Sequence, residues 1–366
     1  MTTTYIENPK DAVCQQELEH IARCDLDWSA FSHKTVLVTG ATGLVGSYAV
    51  RTLAAANRIH GCGMTILAMV RSADKAQKIY GSLLERGDVA LLLGDVRDPI
   101  VYDGPVDYII HGASVTASKE MVTRPVETIA TAIGGTEQIL KFAVAKQVTS
   151  MVYISSMEMY GTPDPNLSCV TESDYGRVDV LQVRSCYPEG KRMCECLCAA
   201  YAHEYHLPVK IARLAQTFGA GVSTSEGRVF AQFARSLMNG EDIVLHTEGK
   251  SYGNYCATCD CVRGLLTILL WGVNGEAYNV ANEKTNIRIR DMAQMIADQS
   301  GGKIQVRFDI PEDALQYGYA PDVKMRLSGD KLRGLGWEPE LDLPQMYQQL
   351  MASWQAQEAA DKGEQA

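Results

Sequence analysis

Short apolar runs alternate with longer stretches of helical spacing through the first 214 residues. The runs Thr35–Thr39, Met64–Val70, Val89–Leu93, Val106–Ile110, Met151–Ser155 and Val209–Leu214 are continuous rather than alternating. That is the pattern of strands buried on both faces. Helical spacing falls at Leu44–Ala56, Val126–Lys146 and Tyr187–Tyr205. Strands that alternate with helices predict an α/β protein with a parallel sheet covered on both sides.

Beyond residue 214 the alternation breaks down. Helices are expected near Arg228–Met238, Cys261–Val273, Ile289–Gln299 and Leu343–Trp354, and short strands near Ile243–His246, Ala277–Val280 and Ile304–Phe308. This predicts a smaller, mixed α/β C-terminal lobe, mainly residues 215–354. Such a lobe would close over the carboxyl ends of the parallel strands, where open α/β sheets bind ligands. Residues 1–33 read as a helical N-terminal extension, 34–214 as a nucleotide-binding domain and 355–366 as a flexible tail.

Composition narrows the function classes. Of 366 residues 46% are hydrophobic and 21% charged, an ordinary globular balance. The net charge of −10 speaks against a general nucleic-acid binder, which needs a basic face. The stretch Val262–Val273 is broken by Arg263 and is too short to span a bilayer, and the N-terminus has no apolar signal segment. The 11 cysteines are odd in number and irregularly placed, which predicts reduced thiols and a cytoplasmic location.

The first strand runs into TGATGLVGS (39–47), with glycines at 40, 43 and 46. These suit a tight turn, close approach of backbone to a pyrophosphate and close helix–sheet packing. The following helix N-terminus adds N–H groups and the positive end of a dipole. The fold predicted is therefore a Rossmann-type doubly wound parallel sheet that binds a dinucleotide. An acid at the end of the second strand would take the ribose 2′-OH of NAD. Met69-Val70-Arg71-Ser72 has no acid there, and Arg71 could accept the 2′-phosphate of NADP or lie on the surface beside the adenine.

Tyr187 and Lys191 stand at i and i+4, on one helix face. An ammonium beside the phenol is expected to lower its pKa and suit it to take a proton from a sugar hydroxyl. The fifth strand ends in Ser155-Ser156-Met157-Glu158, so Ser156 can bond the same oxygen and Glu158 can serve as a base or cap a loop. Cys194, Cys196 and Cys198 cannot converge from one helix, and Cys256, Cys259 and Cys261 lack a fourth ligand, so no metal is expected. The seven histidines show no ligand-like spacing.

TGATGLVGS, YISSMEMYG, RSCYPEGKR, ARLAQTFG, EGRVFAQF, EAYNVAN and LRGLGWEPELDL together resemble the extended short-chain dehydrogenases/reductases of the NAD-dependent epimerase/dehydratase family. The Ser-x-Glu-x-Tyr-Gly and Arg-x-Cys-Tyr-x-Glu-Gly-Lys-Arg runs look closest to the UDP-glucuronate decarboxylase branch. The resemblance implies a nucleotide-sugar substrate, a 4-keto intermediate, bound NAD (with NADP the alternative) and a homodimer. It implies catalytic roles for Ser156, Glu158, Tyr187 and Lys191. It places the cofactor on Gly40, Thr42, Gly43, Leu44, Val45, Gly46, Arg71, Asp95, Val96, Ala113, Ser114, Tyr187 and Lys191. It places the substrate on Ser156, Glu158, Gln216 and Arg228. The chain departs from the pattern at Met157, where the dehydratases carry Asp, at Gly253, where the decarboxylases carry Arg, and at Gln216, which stands for Asn. An NADPH-dependent reductase of a 4-ketosugar or another carbonyl compound is the competing expectation.

Overall fold

The structure is a computed structural model and describes residues 6–310 and 323–363. Helix α1 (Ala12–Arg23) leads to β1 (Thr35–Thr39), α2 (Leu44–His60), β2 (Thr65–Val70), α3 (Ala73–Tyr80), β3 (Val89–Leu93) and β4 (Tyr108–His111). Then come α4 (Ser118–Thr123), α5 (Pro125–Lys146), β5 (Ser150–Ser156), α6 (Cys186–Glu204), β6 (Val209–Leu214) and β7 (Gln216–Phe218). The rest comprises α7 (Val229–Asn239), β8 (Ile243–Leu245), β9 (Tyr252–Gly253), β10 (Tyr255–Ala257), α8 (Thr258–Trp271), β11 (Ala277–Val280), β12 (Ile287–Arg288), α9 (Ile289–Asp298), β13 (Val306–Phe308), α10 (Asp330–Arg333) and α11 (Leu343–Gly363).

Seven strands form one sheet in the order β11-β6-β5-β4-β1-β2-β3, all parallel. β1 is buried at every position, as its β-branched run requires. One apolar core lies between the sheet and α1, α2 and α8, and a second between the sheet and α5 and α6. The doubly wound reading therefore holds. The order reverses between β1 and β4, which opens a crevice at their carboxyl ends. Short two-stranded pairs β7–β10, β9–β12 and β8–β13 build the smaller lobe.

Three expectations change. First, the two regions are not divided at residue 214: β11 pairs with β6 in the main sheet, and α8 packs on β5 and β6. A strand and a helix read as part of the lobe complete the nucleotide-binding layer instead. Second, the segment expected to fray from 355 is helical through Gly363. Gln357 donates to Asp11 (3.0 Å) and to Ser353 (3.1 Å), which ties this helix to the start of α1. Third, the N-terminal extension is built into the core. Leu18, Ile21 and Phe31 are fully buried, and Glu7 takes ion pairs from Arg58 and Arg86. Residues 1–5 and 364–366 of the expected extension and tail lie outside the described residues.

Candidate active site

The glycine turn follows β1 as its sequence requires. Gly40 has φ +68°, and a Cβ there would stand 2.7 Å from the Gly112 backbone, while a Cβ at Gly46 would meet the Gly40 carbonyl oxygen at 2.3 Å. Both positions need glycine. Gly43 caps α2 without any side-chain bond, so the first amide groups of the helix remain free to take an anion. Thr42, Leu44 and Val45 are half-buried around this turn.

Thr39 locks the turn to the end of β4. Its hydroxyl oxygen accepts from the amides of Gly112 and Ala113, both at 3.2 Å. Its one proton then goes to His111 Nδ1, 2.6 Å away, which leaves Nε2–H to donate to Thr136 at 3.2 Å. Burial drives the His111 pKa down to about 3, so the ring is neutral. Beyond Ala113, the buried Ser114 hydroxyl oxygen has no hydrogen-bond partner in the protein. A bare helix N-terminus, a glycine turn and an orphaned hydroxyl at one crevice fit a bound dinucleotide.

Arg71 is exposed at the end of β2, close enough to help lower the pKa of Asp95. The chief cause of that lowering is Arg97, whose side chain donates to both Asp95 oxygens at 2.9 and 2.8 Å. Val96 is buried, and a Cβ on Gly135 would stand 2.8 Å from its Cγ2.

Ser156 ends β5, and its hydroxyl caps the following turn by accepting from the Glu158 amide at 3.2 Å. α6 buries one face at Tyr187, Gly190, Lys191, Cys194, Glu195 and Cys198, the stripe that puts Tyr187 and Lys191 together. Ser156 stands close enough to the Tyr187 hydroxyl to favour its ionised form. Lys191 donates to the Ile154 carbonyl at 2.8 Å and lies 4.9 Å from the Tyr153 ring centre and 5.7 Å from that of Tyr187. Burial lowers its pKa to about 8.

The expected lowering of the Tyr187 pKa is not what the structure shows. Burial first, and then the negative charge of Glu158, push it up to about 12. Sequence spacing gives the neighbour but not the desolvation, and the ammonium is turned towards a backbone carbonyl. The guanidinium groups of Arg184 and Arg228 work in the opposite direction and favour the phenolate.

Arg184 was not singled out from the sequence. It lies in the turn Val183–Ser185, and its Nη2 donates to both oxygens of Glu158, at 3.1 and 2.8 Å. Its other terminal nitrogen is buried without a partner. The signal available was its place three residues before Tyr187. Also missed was a buried network behind the site. Arg213, from β6, pairs with Glu195 at 2.7 Å and donates to the Tyr160 hydroxyl at 2.9 Å and the Glu172 carbonyl at 2.7 Å. Arg192 clamps the turn after β5 through the carbonyls of Met159 and Gly176.

Arg228 precedes α7, pairs with Glu226 at 2.9 Å and extends its charge to Tyr187. Gln216 opens β7 with its side chain exposed, beside the backbone of Tyr255. Gly253 lies in β9, and a Cβ added there would meet open space. All eleven cysteines are free, with Cys196 exposed and Cys194, Cys198, Cys256, Cys259 and Cys261 buried. Neither cysteine run gathers into a metal-ligand cluster among the described residues.

The fold and site define a dinucleotide-binding α/β protein with a tyrosine and a lysine at the mouth of the crevice. A model of the NAD dependent epimerase/dehydratase family matches residues 36–281, and the chain belongs to that family. UDP-glucuronic acid decarboxylase 6 of Arabidopsis thaliana is 29% identical over 315 residues, 85% of this chain and 86% of that protein. Among solved structures, an epimerase from Methanothermobacter thermautotrophicus superposes with a TM-score of 0.74 at 22% identity, covering 92% of this chain and 96% of that one. A dTDP-glucose 4,6-dehydratase from Streptomyces venezuelae, solved with NAD bound, gives 0.72 at 22% identity over 89% of this chain and 98% of its own. Among the described residues no helix is long and apolar enough to cross a membrane.

Proposed function

We propose that the protein modifies a nucleotide sugar by transient oxidation at C4. The observation that carries this reading is the convergence of Tyr187, Ser156, Glu158 and Arg184 beside Lys191, at the carboxyl end of β5. The backbone of Gly40–Gly46, with Asp95, Val96, Ala113, Ser114, Tyr187 and Lys191, would hold the nicotinamide dinucleotide, which supplies the hydride acceptor. NAD is the family's cofactor. Tyr187 takes the C4 hydroxyl proton while Ser156 bonds the same oxygen. The resulting ketone acidifies C5, so a second acid–base group beside the ring can act there, and Glu158 is that group. Arg228 and Gln216 are the residues for the nucleotide end of the substrate. The likeness to UDP-glucuronic acid decarboxylases supports a UDP-linked sugar acid as the first substrate to try.

The exposed Arg71 supports a second reading, an NADPH-dependent reduction of a 4-ketosugar, because a free guanidinium at the end of β2 suits a 2′-phosphate. A homodimer is supported by the exposed apolar side chains Val126 and Ile129 on α5 and Met193 on α6, two helices that pack together on one face of the sheet. The free cysteines are in keeping with a reducing compartment.

Incubation with a panel of nucleotide sugars, read by product mass, tests the proposal. Loss of carbon dioxide, loss of water or isomerisation without mass change each supports it and assigns the reaction. Stoichiometric consumption of NADPH with a ketosugar transfers the site to the reductase reading. Tyr187→Phe is expected to keep cofactor binding and lose turnover by about 10²- to 10⁴-fold, the range for a positioned acid–base group. Normal turnover in that variant would defeat both readings.

A further inference from the structure

Three side chains of different chemistry, none of them from the residues of the crevice, meet where the N-terminal helix touches the segment before α11. His20 lies in the last turn of α1, Cys24 caps its end, and Glu340 comes from the far end of the chain. One donor atom from each, an imidazole nitrogen, a thiol sulfur and a carboxylate oxygen, lies within 4.8 Å of the others. The His20 Nε2 to Glu340 Oε2 distance is 2.7 Å.

The geometry points to a divalent transition-metal site, best suited to zinc, formed by His20, Cys24 and Glu340 with a water in the fourth position. His20 and Cys24 are at i and i+4, so the helix presents both donors on one face before any metal arrives. The surroundings hold the third ligand. The Glu340 amide donates to Asp260 Oδ2 at 2.9 Å, and its second carboxylate oxygen, Oε1, takes an ion pair from Arg263 at 3.1 Å. Oε2 is thereby left directed at His20, and the outer contacts orient the ligand as supporting residues of metal sites do. Imidazole, thiolate and carboxylate together form a borderline-soft donor set, and three protein ligands plus water make a tetrahedral zinc site.

Charge also balances. The thiol gives up its proton to solvent on binding, His20 binds through the neutral Nε2 with its proton on Nδ1, and thiolate and carboxylate together neutralise the dication. Arg263, the cation on Glu340, is also paired with Asp260 at 2.9 Å. The cation would staple α1 to the chain before α11, joining two ends of the sequence 320 residues apart at His20 and Glu340.

The test uses the full chain, stripped with a chelator and titrated with cobalt and then zinc. The expected result is one cobalt per chain, with tetrahedral visible bands and a thiolate charge-transfer band, displaced by zinc. Cys24→Ser, His20→Ala and Glu340→Gln should each weaken zinc binding by at least about tenfold, the lower end of the loss when even a supporting residue of a metal site is removed. Cys196→Ser, exposed on α6, should leave it unchanged. Circular dichroism separates lost binding from lost fold, and the Glu340→Gln variant keeps both its amide bond and an acceptor. A cobalt spectrum without thiolate character, or equal zinc affinity in the wild type and the three variants, overturns the site.

Discussion

Arg184 Nη2 lies 2.8 and 3.1 Å from the two oxygens of Glu158, and the same guanidinium carbon stands 5.6 Å from the centre of the Tyr187 ring. One cation therefore serves two groups with opposite needs. It balances a carboxylate that would otherwise keep the phenol protonated, and it favours the phenolate directly. Glu158→Gln is expected to lower the Tyr187 pKa, and Arg184→Gln to raise it. The first half-reaction needs the phenolate, so its rising pH limb should move to lower pH in the first variant and to higher pH in the second. The rate of substrate-dependent cofactor reduction, measured against pH, reads this out. Shifts in the same direction would show that the pair does not govern the phenol.

Glu158 also separates reaction types. Inversion at C4 or reduction of a ketone needs Tyr187 and no second acid–base group, whereas chemistry at C5 does. Glu158→Gln should stop net turnover while hydride transfer persists, so reduced nicotinamide accumulates and its near-ultraviolet absorbance rises on mixing with substrate. Normal turnover in this variant would remove C5 chemistry from this site.

The sequence made the strands and the glycine turn legible because both are local. Val36, Leu37 and Val38 are buried on both faces of one strand, and Gly46 must be glycine because a Cβ there would meet the carbonyl oxygen of Gly40 in the same turn. Val209–Leu214, buried throughout, agrees with the structure to the residue for the same reason; Val89–Leu93 has the expected bounds but, as the edge strand, is not buried on both faces and leaves Ala90 and Leu93 exposed. What was not legible depends on distant partners. Arg184 gains its role from Glu158, 26 positions earlier, and Arg213 reads as an ordinary strand charge until Glu195 and Tyr160 are seen around it. The i,i+4 spacing gives the wrong sign for the Tyr187 pKa because it reports a neighbour but not how deeply a phenol is buried. His20 and Cys24 share a helix face, yet Glu340 completes their cluster only through the fold.

Arg71 is the residue on which the choice of cofactor can be tested. Ser72 spends its hydroxyl capping α3, accepting from the Lys75 amide at 3.2 Å, so Arg71 is the group left at the end of β2 to meet a 2′-phosphate. Arg71→Ala should weaken NADP about tenfold to a hundredfold, roughly 1.5–3 kcal/mol for a charge-assisted contact, and leave NAD nearly unchanged. Titrations of both cofactors by fluorescence give the comparison. Small, equal losses would make Arg71 a surface residue and NAD the cofactor.

The pair behind the site is a stability determinant. The side chains of Arg213 and Glu195 are only 2% and 8% exposed, and Ser155 adds a 2.5 Å bond to the same carboxylate. Removing one partner strands a buried charge, so Arg213→Met should cost about 3–5 kcal/mol in denaturant unfolding. The double variant Arg213→Met/Glu195→Gln should lose less than the sum of the two single changes. Additive losses would mean that the two residues stabilise the fold independently.

Glu17 gives the fold a dependence on pH. It accepts from the Tyr48 hydroxyl at 2.6 Å through one oxygen, while the other is buried without a partner, and burial raises its pKa from 4.5 to about 7. A carboxyl whose folded pKa is raised binds its proton more tightly in the folded chain. Its contribution to stability is thus fully present below pH 4.5 and is lost as the pH rises through about 7. Glu17→Gln keeps an acceptor for Tyr48 and removes the buried charge. The variant should melt at a higher temperature than the wild type above pH 7, and the difference should shrink as the pH falls towards 4.5. Thermal unfolding across that range checks it, and a gap independent of pH would show that Glu17 is ionised at no cost in the folded protein.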